Sequence, residues 1–276
     1  MSEFEGFNFK ILEDIQRKAN EVKADIQFTE DLSPLLQKVK IGPKQAPNSF
    51  AILPMEGCDS ELDGTPSDLV RRRYRRYASG GAGLIWWEAC AVLQEAKANP
   101  HQMSLTSANV GSFASLLHET IKIAQETFGP SHRPINILQL THSGRYSRPE
   151  GKAAPLVPQH DPILDPPLDI SADSPLISDA YLDDLIGAYV KSALLAQEAG
   201  YDGVDIKSCH RYLISELLAC YTRPGKYGGS FENRTRFPLT IIKEIRNAVG
   251  SDFIIASRLN VFDAHPFPYG WGVDEK

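Results

Sequence analysis

Short apolar runs alternate with longer amphipathic segments along most of this chain. Five of the runs are typical of strands buried on both faces, and they cover residues 50–53, 84–92, 135–140, 203–207 and 253–259. Apolar residues recur at helical spacing in the segments between them, which predicts helices over residues 66–78, 112–128, 179–199 and 233–249. Because strands that alternate with helices form parallel sheets, the pattern predicts an α/β fold of the (β/α)8 TIM-barrel type.

An N-terminal segment precedes these alternating strands and helices. Apolar residues recur at helical spacing between residues 9 and 39, and Ile11, Ile15, Ala19 and Val22 share one predicted face. We interpret residues 1–32 as a helical extension on the outside of a barrel domain that covers residues 33–276. Within that domain, Thr65 is the predicted N-cap of the first barrel helix.

A proline-rich loop spans residues 146–178, after the third predicted strand. Loops of this length in compact domains are usually functional or disordered. This loop leaves the carboxyl end of a strand, where barrel active sites lie. A lid over the site is therefore favoured over a disordered insertion.

Composition narrows the function classes. The chain has 276 residues and a net charge of −6, which argues against nucleic acid as a partner, since phosphate binding requires a basic face. The sequence has no run of the ~20 apolar residues that a membrane span needs. Its four cysteines include no paired CxxC spacing, which predicts neither zinc nor disulfides and favours the reducing cytoplasm.

Polar side chains follow the predicted strands, where a barrel would bring them to one mouth. They include an amide, imidazoles, an ammonium, a phenol and a guanidinium, a set suited to a planar polar ligand. Neither a carboxylate triad nor a metal-spaced histidine cluster is among them, so no metal site is predicted. The residues that carry these groups are Gln139, His142, Lys207, His210, Tyr212 and Arg258; Glu56, Glu88, Arg145 and Asp205 also stand at or after strand ends.

Four motifs in order and at the right spacing resemble those of the old yellow enzyme family. Residues 139–145 resemble its Q-L-x-H-x-G-R signature, and residues 227–234 resemble its Y-G-G-S-x-x-N-R segment. Residues 204–213 are similar to V-x-I-H-x-x-[HN]-G-Y-L, and residues 80–89 to G-x-G-L-I-x-x-E. The resemblance extends over about residues 33–259 and implies FMN bound across the barrel mouth, with NADH or NADPH as reductant.

The resemblance also implies roles for single residues. Gln139 would hydrogen-bond the flavin ring, Arg258 would stabilise negative charge on reduced flavin, and backbone near Ala89 would approach the ring edge. The segment Pro54, Met55 and Glu56 would lie near the flavin, although the family usually has Thr or Cys where Glu56 stands. These six residues form the predicted cofactor site.

The implied substrate is a small activated alkene or enone. Lys207 and His210 occupy the positions that bind its carbonyl oxygen, and the family usually has His where Lys207 stands. Tyr212 matches the residue that protonates the carbon next to the carbonyl. The implied reaction transfers hydride from NAD(P)H through flavin to the C=C bond, which makes the chain an ene-reductase.

Two alternative functions and one open residue assignment remain at this stage. Only five strands are predicted, so the barrel is apparently truncated after the fifth, and activity would be weak or absent unless another copy or chain completes it. A non-catalytic barrel module is therefore one alternative. A Schiff-base aldolase with Lys207 as its amine is another. His142 is as much a candidate for a buried structural histidine as for a ligand-binding group.

Overall fold

A computed structural model describes Gly6 and residues 8–274 of the chain. They belong to two compact units, one within the first 35 residues and the other from Leu36 onward. The first unit contains helix α1 (Leu12–Glu21), and a short helix α2 (Ser33–Leu36) follows near the boundary.

The helical spacing predicted over residues 9–39 is realised in only part of that stretch. Helix α1 ends where Lys23 adopts a left-handed φ of 54° and the Ala24 N–H donates to the Ala19 carbonyl at 2.8 Å. Of the four apolar residues predicted to share one face, only Ala19 is buried. The stretch closes with strand β1 (Val39–Ile41), which sequence periodicity did not predict.

Strand β1 pairs in antiparallel fashion with β2 (Lys44–Ala46). Their turn contains Gly42, whose φ of 57° is in the region that favours glycine. Ala46 packs in a small apolar cluster with the first residues of the main-sheet strands, so this hairpin lies against the amino-terminal ends of that sheet. These partners are Leu84, Ile135 and Ile254.

The main sheet has five parallel strands whose spatial order follows the sequence. All five predicted strands are present, four of them shorter than predicted and the third extended by one residue to Thr141, and sequential parallel order is that of a (β/α)8 barrel. The strands are β3 (Ala51–Ile52), β4 (Leu84–Ala91), β5 (Ile135–Thr141), β6 (Gly203–Ile206) and β7 (Ile254–Ala256).

Four long helices connect these strands and pack side by side in chain order. Their apolar faces meet the sheet in the main core, which includes Trp87, Leu138, Val204 and Phe237. A short fifth helix, which periodicity did not predict, follows β6. The helices are α3 (Asp68–Ser79), α4 (Val110–Phe128), α5 (Asp179–Ala199), α6 (Leu213–Leu218) and α7 (Phe231–Val249).

The predicted N-cap of α3 was wrong by two residues. The hydroxyl of Ser67, and not that of Thr65, accepts the Val70 N–H. Thr65 instead belongs to the preceding turn, where its N–H donates to the Asp63 carboxylate at 2.9 Å. Both residue types are good caps, so local sequence did not distinguish the two positions.

The proline-rich loop of residues 146–178 is held in place by buried arginines. Arg145 donates to the Gln159 carbonyl at 3.1 Å and pairs with Asp165, while Arg223 donates to the Pro158 and Ile177 carbonyls. The loop is therefore a folded segment with its own buried polar anchors. Its role as a lid stays a prediction.

Candidate functional site

The carboxyl ends of the sheet strands surround a cavity of about 420 Å³. Predicted residues from four separate parts of the chain meet there, and Leu53 is the one lining residue that the sequence analysis did not include. The lining consists of Leu53, Pro54, Met55, Glu56, Gln139, Lys207, His210 and Arg258.

A buried aspartate behind the cavity orients the predicted flavin-ring residues. Asp205 lies directly opposite Gln139 on the neighbouring strand and accepts a hydrogen bond from its amide nitrogen. The same carboxylate accepts the Trp86 indole N–H at 3.1 Å and the Arg258 backbone N–H at 2.7 Å. Burial raises the pKa of Asp205, and these donors oppose that rise. The sequence showed Asp205 at a strand end but not its orienting role.

Glu56 joins two of the predicted substrate-binding groups. One of its carboxylate oxygens pairs with the Lys207 ammonium, and the other accepts the Tyr212 hydroxyl at 3.0 Å. The Lys207 nitrogen also lies 3.8 Å from the centre of the Tyr212 ring. Burial first, and then the Glu56 charge, raise the pKa of the Tyr212 phenol. These three side chains therefore form one hydrogen-bonded unit.

His210 is exposed at the cavity and adopts a left-handed backbone with φ of 62°. Burial of part of its ring and the nearby cations Lys207 and Arg258 lower its pKa. A neutral imidazole at this position can still donate one N–H to an oxygen in the cavity. The structure thus brings His210 to the same cavity as Lys207, as predicted.

Arg211, between His210 and Tyr212, anchors the segment that follows β6. It stands where the similar family motif has Gly, and its φ of 56° is one that glycine adopts without strain. The guanidinium holds this backbone in place through the Asp263 carboxylate at 3.0 Å and the Tyr269 carbonyl at 2.8 Å. It also approaches Asp161 of the proline-rich loop at 3.3 Å. The loop is thereby tied to the residue between His210 and Tyr212.

The loop that carries Glu56 is fixed by a buried carboxylate at the end of β4. Glu88 accepts the Gly57 backbone N–H at 2.9 Å and pairs with Arg73 at 2.7 Å. Arg73 pairs in turn with Asp59 from the same loop. Burial raises the pKa of Glu88, and the Gly57 and Arg73 contacts oppose that rise.

The predicted approach of backbone near Ala89 to the flavin edge stays a prediction. Ala89 does not line the cavity, is 1% exposed, and its carbonyl accepts the Gln102 side-chain amide at 3.2 Å. The register between β4 and β5 shifts between Trp87 and Cys90, so Ala89 lies within a bulge or irregularity of β4. A bulge of this kind leaves no mark in the hydrophobic pattern.

His142 is a buried structural residue. Its Nδ1 atom accepts the Gly144 backbone N–H at 3.0 Å, and its Nε2 atom lies 2.8 Å from the Tyr181 hydroxyl. Burial lowers the pKa of His142 to about 3, so the ring is neutral. Gly144 itself has a φ of 58°, and a Cβ there would lie 3.0 Å from the Leu213 backbone.

The Tyr227–Arg234 segment also has a structural role. Ser230 caps helix α7 by accepting the Asn233 N–H at 3.3 Å. Arg234 is buried and donates to the Gly229 carbonyl at 3.1 Å and to the Leu218 carbonyl. These contacts connect the end of α6 to the start of α7.

Comparison with known proteins matches residues 34–266 to the NADH:flavin oxidoreductase / NADH oxidase family. An NADH oxidase from Thermoanaerobacter brockii is 30% identical over 246 residues, which cover 86% of this chain and 35% of that protein. An NADPH dehydrogenase from Geobacillus sp. (strain WCH70) is 30% identical over 77% of this chain and 58% of its own length. The chain therefore spans only part of these relatives.

Solved structures establish the fold. The old yellow enzyme from Pichia sp. AKU4542 superimposes with a TM-score of 0.70 at 23% identity, covering 82% of this chain and 59% of that one. This likeness confirms the prediction of an α/β barrel of the TIM type, of which this chain forms five parallel strands in the described residues. No helix in the described residues is long and apolar enough to cross a membrane.

Proposed function

We propose that the cavity holds FMN and supports reduction of an activated C=C bond, because the chain belongs to the NADH:flavin oxidoreductase / NADH oxidase family. The observation that carries this proposal is that residues suited to bind a flavin ring and residues suited to bind a substrate carbonyl meet at one cavity. Gln139 and Arg258 form the first set, and Lys207, His210 and Tyr212 form the second. When bound, FMN supplies hydride that originates from NADH or NADPH.

The ring-binding residues suit a flat ligand with both donors and acceptors. Because the Gln139 amide nitrogen donates to Asp205, the amide oxygen can accept a hydrogen bond from a ring N–H. Arg258 donates to the Pro54 carbonyl at 3.3 Å and brings a positive charge to the same cavity. A guanidinium there stabilises negative charge that develops on a reduced ring.

The substrate-binding residues suit an enone or similar alkene. Lys207 carries a positive charge beside the cavity, and His210 supplies an imidazole N–H, so both can stabilise an oxygen that becomes an enolate. Tyr212 keeps its hydroxyl proton because burial and Glu56 raise the pKa of the phenol. It is the proposed donor of that proton to the carbon beside the carbonyl.

The aldolase alternative is less favoured by this geometry. A Schiff base needs a free amine, and the Lys207 nitrogen would first have to leave its ion pair with Glu56. Trapping with borohydride and a carbonyl substrate tests that alternative directly. A covalent adduct on Lys207 would support it over the reductase.

A titration of the purified chain with FMN tests the proposed function. We expect saturable binding with a shifted visible spectrum, and weaker binding by Arg258→Met than by the control Arg76→Met, which changes an exposed arginine on α3. Anaerobic NADPH followed by 2-cyclohexenone should then reduce and reoxidise the flavin. A folded chain that retains no FMN would contradict the proposal and favour a non-catalytic module or a barrel completed by another chain.

A further inference from the structure

Two residues that depart from the family pattern, Glu56 and Lys207, contact each other in this cavity. The similar family motifs have Thr or Cys where Glu56 stands and His where Lys207 stands. These residues are separated by 151 positions in sequence, yet their side chains form an ion pair. The two substitutions thus introduce opposite charges at one point.

The pair lies where a substrate oxygen would bind. The Lys207 side chain is 1% exposed and the Glu56 side chain 20%, and both line the cavity. Within the described residues, Glu56 is the acceptor that the structure gives the ammonium. The ammonium has three N–H groups, and besides Glu56 it contacts the Tyr212 ring at 3.8 Å, so one N–H group remains for an oxygen in the cavity.

The charges around the cavity determine whether a ligand with a neutral carbonyl oxygen or one with a carboxylate binds there. Lys207 and Arg258 are cations, and His210 has a lowered pKa and is neutral. Glu56 faces Lys207 directly, while Asp205 is fully buried behind Gln139. A carboxylate ligand placed on Lys207 would therefore also approach the Glu56 carboxylate, and the two like charges would repel each other.

We propose that Glu56 determines substrate charge specificity, so that the cavity accepts a neutral carbonyl compound and rejects the corresponding carboxylate. The inference rests on the proposed function for its substrate class. It assigns Glu56 a positioning role as well, because the same carboxylate holds the Tyr212 hydroxyl at 3.0 Å.

Cinnamamide and cinnamate form a suitable test pair because they have nearly the same shape and differ in charge. Their dissociation constants would be measured by ligand-observed NMR with and without FMN. We expect wild type to favour cinnamamide, and Glu56→Gln to strengthen cinnamate binding by about tenfold while cinnamamide changes little. Glu61→Gln, an equal charge change at an exposed residue of the same segment, should leave both unchanged. A preference for cinnamate in wild type, or equal shifts for both ligands, would overturn the proposal.

A second measurement tests the contact with Tyr212 without any flavin. Tyrosine labelled with carbon-13 at the phenol carbon reports ionisation, and Tyr212→Phe assigns the signal. Because Glu56 is one cause of the raised Tyr212 pKa, Glu56→Gln should lower that pKa, whereas Glu56→Asp should largely retain it. An unchanged titration would contradict the positioning role. Loss of FMN binding alone would instead count against the proposed function.

Discussion

Gln139 and Asp205 are register partners on adjacent strands, and the buried Asp205 carboxylate fixes the direction of the Gln139 amide. The same carboxylate anchors the backbone of Arg258. One side chain below the cavity therefore orients both residues proposed to bind the flavin ring.

Asp205→Asn should disturb this arrangement with little change in shape. The new amide NH2 would face the Gln139 amide or the Arg258 N–H, so two donors would oppose each other. We expect a loss of about 1–3 kcal/mol in the free energy of unfolding and weaker FMN binding. Urea denaturation and FMN titration measure the two effects. Asp252→Asn, at an exposed turn, is the control, and equal stability of the two variants would contradict this role.

Tyr212→Phe should separate the two half-reactions. The phenol has no part in reduction by NADPH, whereas loss of its proton should slow reoxidation by an enone about 10²–10⁴-fold. Because the pKa of Tyr212 is raised, its hydroxyl stays protonated at the pH values where a tyrosine ordinarily ionises. The rate of flavin reoxidation by the wild type should therefore not decrease in that pH range. Stopped-flow absorbance follows both steps. An equal decrease in both rates would argue against proton donation.

Ser67→Ala should destabilise the protein because Ser67 caps α3. The expected loss is about 1 kcal/mol in the free energy of unfolding. Thr65→Ala is the matched control, since its hydroxyl does not cap this helix. Thermal or urea unfolding compares the two. A larger loss for Thr65→Ala would show that the helix begins as the sequence alone suggested.

Glu216 should make stability depend on pH. It is buried against Arg145, with an oxygen 2.5 Å from the Arg145 Nε atom, and burial raises its pKa to about 7 from an ordinary value of 4.5. Arg211 and Asp161 also face it, the first lowering and the second raising that pKa. Between these two pH values, Glu216 therefore keeps its proton in the folded chain and has lost it in the unfolded chain.

The sign of this effect follows from the raised pKa. The Glu216 contribution is fully present below about pH 4.5, decreases as pH rises, and is lost above about pH 7. Glu216→Gln should flatten the slope of unfolding free energy between these values, as measured by urea unfolding at several pH values. Glu198→Gln, an exposed change on α5, should keep the wild-type slope. The same slope in both variants would rule out Glu216 as its source.

The sequence by itself determined the strand order and the meeting of polar residues at one mouth. Apolar runs such as residues 84–92 are too uniform for an exposed sheet, and parallel strands bring their carboxyl ends to one edge. This pattern alone predicts Lys207, Gln139 and Arg258 as neighbours, and the three residues do line one cavity. The motifs around them also predicted the family.

Only the tertiary structure decided how those neighbours pair. The ion pair of Glu56 with Lys207 joins residues far apart in the chain, and no local periodicity specifies such a contact. The register shift beside Ala89 arises from strand pairing, and the contact of Arg211 with Asp263 joins residues 52 positions apart, so neither is visible in the local sequence pattern. Hydrophobic patterning sets which faces are buried, whereas the packing of buried charges sets which groups face a ligand.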